Sequence, residues 1–308
     1  MMCRNFFLRI LIIGVLLILT DFILGGLFRY LYDSSRYGIF GRQVYCFTDS
    51  AEDILILGPS TASHNYVPSV LSDSLGESCF NAGSDGMPIF YHYGLLSNYR
   101  GERKPRVVIY DLGYTDWFRS VTPSFTLASA LDRLAPYYDR TPEIDSLFCL
   151  EGKFGKLKYL SRMYCFNSKF VQLMKCHFIP SPEDAGYEAL TRKLPPETVL
   201  KEVNTPGVVD SLKVTYLQKL IDYVRMNDIL LIFVISPRYY YDTSGSLSMG
   251  RELARRNGVP LLDMMNQPEL MRPEYFADET HLNDTGARKF TTLLAGYLKE
   301  VLNNADRW

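Results

Sequence analysis

The sequence predicts an α/β three-layer sandwich: a mostly parallel sheet of about five strands, covered by helices, with a helical insertion and an N-terminal transmembrane helix. Three observations carry this. Short apolar runs ending in Gly, Asp or Ser alternate with amphipathic stretches, the pattern of βαβ crossovers that bury a parallel sheet on both faces. A run of about 90 residues between the third strand and the next helix breaks that rhythm. The first 30 residues hold an apolar stretch of membrane-crossing length.

Phe6 to Phe28 reads FFLRILIIGVLLILTDFILGGLF, and as a helix would extend roughly 34 Å at about 1.5 Å per residue. Arg9 sits where its stem can reach headgroups. Asp21 is the costly residue, at about 3 kcal/mol unless it lies near the interface, is protonated or finds a partner. The exit GGLFRYLYDSSRY has no A-x-A cleavage site, which favours an uncleaved anchor over a signal peptide. Arg4 and Arg9 precede the run while Arg29, Arg36 and Arg42 follow it, so flanking charge does not orient it. A short N-terminus ahead of a large domain places that domain outside the cytoplasm. The expected organisation is an anchor over 1–31, a juxtamembrane segment over 32–50, and an α/β domain over 51–308 interrupted at about 117–206.

Within that domain, Asp53–Gly58, Cys79–Gly83, Pro105–Gly113, Ile229–Ser236 and Val259–Asp263 read as strands. Pro68–Leu75, Pro88–Tyr99, Val209–Met226, about 246–257 and Asp284–Leu302 read as helices. The insertion, rich in aromatics and carrying eight prolines, reads as mostly helical over one end of the sheet.

Composition narrows the function classes. With 33 Lys plus Arg against 34 Asp plus Glu, the formal charge is −1, which leaves no basic excess for nucleic acid. Aromatics at 14% suit a packed body and a groove for carbohydrate or lipid. The six cysteines form no C-x-x-C pair and no zinc spacing, so neither a metal nor a disulfide framework is expected. No phosphate loop, dinucleotide fingerprint or H-E-x-x-H is present, and nothing visible requires a cofactor.

Chemistry in an open parallel sheet gathers at the carboxyl ends of the strands. There the chain carries Gly58-Pro-Ser60-Thr-Ala-Ser-His64, then Asn81-Ala-Gly83-Ser-Asp-Gly86, then Asp111-Leu-Gly113-Tyr-Thr115-Asp116, and Asp278-Glu-Thr-His281-Leu-Asn283 before the last helix. Ser60 follows a strand and opens a helix, a position more often an N-cap than a nucleophile. A nucleophilic serine needs a base. Of the four histidines, His92 lies inside a helix, His177 in the insertion and His64 close to Ser60 in sequence. His281 is the best candidate, because Asp278 three residues earlier can orient its ring. His64 and Asp116 are expected to reach substrate. The Asn283-Asp-Thr285 sequon reads as incidental.

Taken together the four segments resemble the SGNH (GDSL-type) hydrolase superfamily. The resemblance covers about 50–116 and 208–302 and implies a flavodoxin-like sandwich. It implies Ser60 as nucleophile and Asp278 and His281 as acid and base. The oxyanion donors would be the amides of Ser60 and Gly86, with Gly83 a second choice for the glycine, and Thr115 at the third block. Pro59 stands where the family has Asp, and Thr115 where it has Asn. An anchor ahead of such a domain also resembles envelope members that move or remove acyl groups on surface polymers. The implied function is a membrane-tethered serine esterase or O-acyltransferase acting on an acyl-ester substrate of cell-envelope carbohydrate. The reading from a different class is a catalytically poor domain serving binding or assembly in an envelope complex.

Overall fold

The computed structural model describes residues 2–99, 104–152, 154–181, 184–204 and 207–305, without the side chains of 2–4 and 304–305. The chain runs through helix α1 (Met2–Asp33), α2 (Gly38–Thr48), strand β1 (Ile54–Leu57), α3 (Ser60–Asn65), α4 (Pro68–Leu75), β2 (Cys79–Asn81), α5 (Ile89–Ser97) and β3 (Val107–Asp111). It continues through α6 (Leu127–Leu134), α7 (Pro142–Cys149), α8 (Phe170–Phe178), β4 (Lys201–Val203), α9 (Ser211–Met226) and β5 (Leu230–Ile235). Last come β6 (Tyr240–Asp242), α10 (Ser248–Asn257), β7 (Leu261–Asp263) and α11 (Asp284–Ala305). These group into two compact units, Met1–Tyr45 with Leu131–Ser181, and Cys46–Ala130 with Pro182–Trp308.

The second unit carries a five-stranded sheet in the order β2-β1-β3-β5-β7, every pair parallel. With those five strands counted in chain order this is 2-1-3-4-5, the flavodoxin-like arrangement, whose switch point lies between the first and third strands. β1 and β3 are buried along their whole length, which is why they read as continuous apolar runs and not as alternation. Successive residues still face opposite layers. Ile54, Ile56, Ile109, Ile232 and Val234 join a core with Tyr66, Phe290, Leu294 and Leu298, the layer of α3, α4 and α11. Tyr110 points the other way, its ring 5.7 Å from that of His92 on α5, and α5 packs on α9.

Local signals set the helix ends. α4 starts with Pro68 at its first turn and stops at Gly76, whose φ of 75° lets its N–H return to the Ser72 carbonyl. α9 is capped by Asp210, which accepts from the amides of Leu212 and Lys213. Helix α2 and the pair β4 and β6 are absent from the sequence-based expectation. Residues 38–48, expected only as a juxtamembrane segment, form α2, held by buried Phe40, Val44, Cys46 and Phe47. β4 and β6 pair in parallel as a separate two-stranded sheet, too short and too polar for a sequence pattern to show.

In the first unit α1 is long and apolar enough to cross a membrane. Its C-terminal part packs with 131–181: Phe28 lies 6.3 Å from Phe166 and 5.7 Å from Phe170, and Tyr32 meets Tyr137 and Phe166. This part of the insertion is built from α6, α7, α8 and short 3-10 turns. Among the cysteines with described side chains, Cys46, Cys79, Cys149, Cys165 and Cys176, none forms a disulfide.

Candidate active site

β1 ends in Gly58, whose φ of +140° is open to glycine; a Cβ there would come within 3.0 Å of Asp111 backbone and the Ala62 side chain. The chain then turns sharply through Pro59, whose carbonyl accepts the amides of Ala62 and Ser63, and Ser60 opens α3 partly exposed at the sheet edge.

Across the site, Asp278 accepts the amides of Thr280 and His281 on Oδ1, both at 2.9 Å. The same carboxylate holds His281 Nδ1 at 2.9 and 3.1 Å. His281 Nε2 lies 2.8 Å from Ser60 Oγ. A carboxylate on Nδ1 keeps the proton on that nitrogen and leaves Nε2 to accept from the hydroxyl. Partial burial pushes the Asp278 carboxyl up, but the His281 ring and the two amides outweigh it and hold it at about 2. Arg192 approaches Asp278 at 3.4 Å from solvent, a contact worth little.

Residues 60 and 281 are 221 positions apart, and the residue that joins their segments is Asn65. Its side-chain oxygen accepts the Leu282 amide at 3.0 Å, its nitrogen reaches Ser236 Oγ at 3.3 Å, and its carbonyl accepts from Thr291. Asn283 closes the other side: its Nδ2 donates to the Glu274 carbonyl and its Oδ1 accepts the Gly286 amide at the start of α11. At 2% exposure this asparagine is a helix-start clamp, which accounts for the sequon. Nothing in the motif marked Asn65; its position at the end of the short helix that Ser60 opens is the available signal.

The second block splits its two glycines by role. Gly83 packs so closely on α3 that a Cβ would fall 2.5 Å from the Ser63 nitrogen, and its own N–H is taken by Asn81 Oδ1. Gly86, at φ +70°, has its carbonyl engaged by the Phe125 amide, while no bond to its N–H occurs among the described residues. Asn81 fastens this block to α3 through the carbonyls of Ala62 and Tyr66.

The third block is organised from beneath. Asp116 accepts from Tyr110 Oη at 2.8 Å and the Gly113 amide at 2.9 Å, and burial pushes its carboxyl up to about 6 against those bonds. At 1% exposure it cannot meet substrate as expected; it shapes the turn. Thr115 is partly exposed, and its carbonyl accepts from Lys213 Nζ. Beside it opens a cavity of about 400 Å³ lined by Tyr114, Thr115, Phe118, Val121, Phe125 and Lys213.

The expectation for His64 also needs correction. Its ring is 6% exposed, with Nδ1 on the Glu188 carbonyl and Nε2 on Asp85, and it stands edge-on to the His281 ring at 5.5 Å. Burial opposes its charge, yet the Asp85 carboxylate prevails and raises its pKa. Although His64, Asp85 and Glu188 bring three ligand atoms within 4.8 Å, both ring nitrogens are already engaged. His64 is a neighbour that packs His281 in place.

One charged residue was missed. Arg238 is 3% exposed, donates to Tyr240, and lies 3.1 Å from where a Cβ on Gly113 would stand. It faces the buried Asp111, which is tied to Tyr66 and Ser236. An arginine in loop sequence carries no pattern that distinguishes it from a surface one.

No protein-family profile matches this chain, and no curated protein does. Among solved structures it is similar to a G-D-S-L family lipolytic protein from Desulfitobacterium hafniense DCB-2, at 10% identity over 79% of this chain and 97% of that one, with a TM-score of 0.41. An acylhydrolase structure from Bacteroides fragilis NCTC 9343 matches at 9% identity over 86% and 93%, again at 0.41. A gut microbial diltiazem-metabolizing enzyme matches at 13% identity over 81% and 48%, at 0.30. At such values the α/β assignment stands on strand order and parallel pairing.

Proposed function

We propose that this chain is a membrane-tethered serine esterase or O-acyltransferase with an SGNH-type site, acting on acyl esters of cell-envelope carbohydrate. The observation that carries the reading is the unbroken bond path from Asp278 through His281 to Ser60, with 2.8 Å between Nε2 and Oγ. That is within reach for proton transfer. Ser60 Oγ attacks the ester carbonyl while His281 Nε2 takes its proton. The tetrahedral oxyanion is received by the amides of Ser60 and Gly86 and the Thr115 hydroxyl. Collapse breaks the ester C–O bond, and His281 returns the proton to the departing alcohol. Water, or a sugar hydroxyl, then attacks the acyl-serine with His281 again as base, and this second acceptor separates hydrolase from transferase. Asp278 stays ionised and stabilises the imidazolium at each proton transfer. The cavity beside Thr115 takes part of the ester, its mixed apolar and cationic lining suiting an acyl group next to a polar carrier.

The tether is the finer part of the reading. Retention of α1 is supported by its packing: a segment removed as a signal would not carry Phe28 and Tyr32 into the core of its own unit. In this reading the sheet-bearing unit lies outside the cytoplasm. The domain plan is 1–31 as anchor, 32–50 as connector and 51–308 as the hydrolase-like domain with its insertion.

The test is labelling of the full chain with a fluorophosphonate. Expected is one adduct on Ser60, absent in Ser60→Ala. Folded protein that takes no label overturns the enzymatic reading and leaves a domain for binding or assembly.

A further inference from the structure

The first unit changes character at one point along α1. From Asn5 to Thr20 the helix is bare: the large apolar side chains from Phe6 to Leu19 are between 48 and 70% exposed. From Asp21 onward one face is covered. From Asn5 to Thr20 the bare stretch is 16 residues, about 24 Å of helix against a hydrocarbon core of about 30 Å.

Asp21, the one acid in that apolar run, marks the change. Ser161 Oγ donates to it at 2.5 Å, the Arg162 amide at 2.9 Å and the Met163 amide at 3.1 Å, so the carboxylate is met by three donors. The contact is close-packed. A Cβ on Gly25 would fall 2.4 Å from Arg162 Cβ, and the Arg162 guanidinium sits 3.9 Å from the Phe22 ring centre. Residues 161–163 are therefore fixed at the height of the first covered turn. Immediately before them, Phe154, Leu157 and Leu160 are 82, 57 and 75% exposed. Lys156 and Lys158 alternate with these apolar residues, paired with Asp145 and Glu151 at 2.7 Å each, and exposed Tyr164 follows Arg162. Exposed apolar side chains with interleaved cations, in the segment that leads directly into this contact with the apolar helix, form the composition of a bilayer boundary. Farther along, the Cys176 carbonyl accepts the amides of Arg36 and Tyr37, so the end of α8 lies well past this height.

We propose that residues 154–164 form a lipid-contact surface: Phe154, Leu157 and Leu160 enter the acyl–headgroup boundary of the bilayer that α1 crosses, with Lys156, Lys158 and Arg162 at phosphate height. The insertion then rests on the membrane and fixes how far α1 descends into it. This rests on the reading of α1 as a spanning helix, and the test separates the two.

The full chain is reconstituted in phosphatidylcholine–phosphatidylglycerol vesicles whose acyl chains are dibrominated, and tryptophan is introduced singly as Ile13→Trp, Leu160→Trp or Phe178→Trp. The signal of native Trp117 and Trp308 is subtracted from the parent chain. Expected is strong quenching at 13 and at 160, several-fold above that at 178. Leu157→Trp gives the same reading should the 160 variant misfold. Quenching at 13 but none above the 178 level at either 157 or 160 overturns the surface while the anchor stands. Failure of quenching at 13 overturns the spanning helix, and the surface with it.

Discussion

Two turns of the sheet-bearing unit are built alike and do opposite work. In each, an aspartate bonds backbone amides of its own turn: Asp278 takes those of Thr280 and His281, and Asp116 takes that of Gly113. Asp278 is 39% exposed at its side chain, holds an imidazole, and sits at about 2. Asp116 is buried under a tyrosine hydroxyl and sits at about 6. The same device gives a permanently charged carboxylate where solvent and a histidine meet it. Where neither does, it gives a group whose charge is costly. The first fits proton-transfer chemistry, and the second fits scaffolding.

The sharpest way to break this comparison is at His281. His281→Ala removes the base and leaves Asp278 with its two amides and Arg192; turnover is expected to fall by on the order of 10⁴ to 10⁶, read as steady-state hydrolysis of a short-chain aryl ester. Retained turnover would mean Asp278 belongs with Asp116 among the structural acids. Asp278→Asn is expected to cost less, about 10³ to 10⁴, because the ring loses its orienting charge but keeps its place. With the carboxyl at about 2, Asp278 stays ionised throughout ordinary pH. Its folded pKa is depressed, so its stabilising contribution is present above about pH 4 and lost as pH falls toward 2.

A smaller effect probes what brings the chemical turn to the serine. Asn65→Ala removes the acceptor of the Leu282 amide and the bond to Ser236, leaving a buried N–H without its partner. Denaturant unfolding should show a loss of about 3 kcal/mol, with kcat falling more than KM rises. Loss of stability with kcat untouched would show that the Asp278–His281 turn finds Ser60 without this clamp.

How much was legible follows the range of the interaction. Strands β1, β3 and β5 were visible because a buried parallel strand is a continuous apolar run, and α4 because Pro68 and Gly76 are local stop signs. Asp278 and His281 were visible because three residues of sequence hold both the partner and the turn that joins them. Asn65 was not, since its partners lie at 236, 282 and 291, and a single asparagine carries no periodicity. Asp116 looked like a polar residue at a strand end, and only burial beneath Tyr110 turns it into a support. Arg238 and the β4–β6 pair fail for the same reason: tertiary placement, not propensity, defines them. The insertion yielded its helical character but not α6, α7 and α8 individually, because tertiary contacts set them: α8 packs on α1, and α7 on the turn at 155–160.

The smallest expected effect is the one that isolates burial. Asp116 has a folded pKa above its usual value, so the folded state binds a proton more tightly than the unfolded chain does. Stability then falls as pH rises through the window from about 4 to 6 and is level above it. The groups facing this carboxyl are Tyr110, Asp111 and Lys213. Lys213, itself held to the carbonyls of Thr115 and Phe118, attracts the charged form without overcoming desolvation. Asp116→Asn keeps an acceptor in place and removes the titration. The difference in unfolding free energy between the variant and the parent should therefore shift in the variant's favour by on the order of 2 kcal/mol between pH 4 and 6, measured by urea unfolding at fixed ionic strength. A flat difference would mean that Asp116 is ionised at no cost where it stands. The contrast with Asp278 would then come from the histidine alone, and burial would have no part in it.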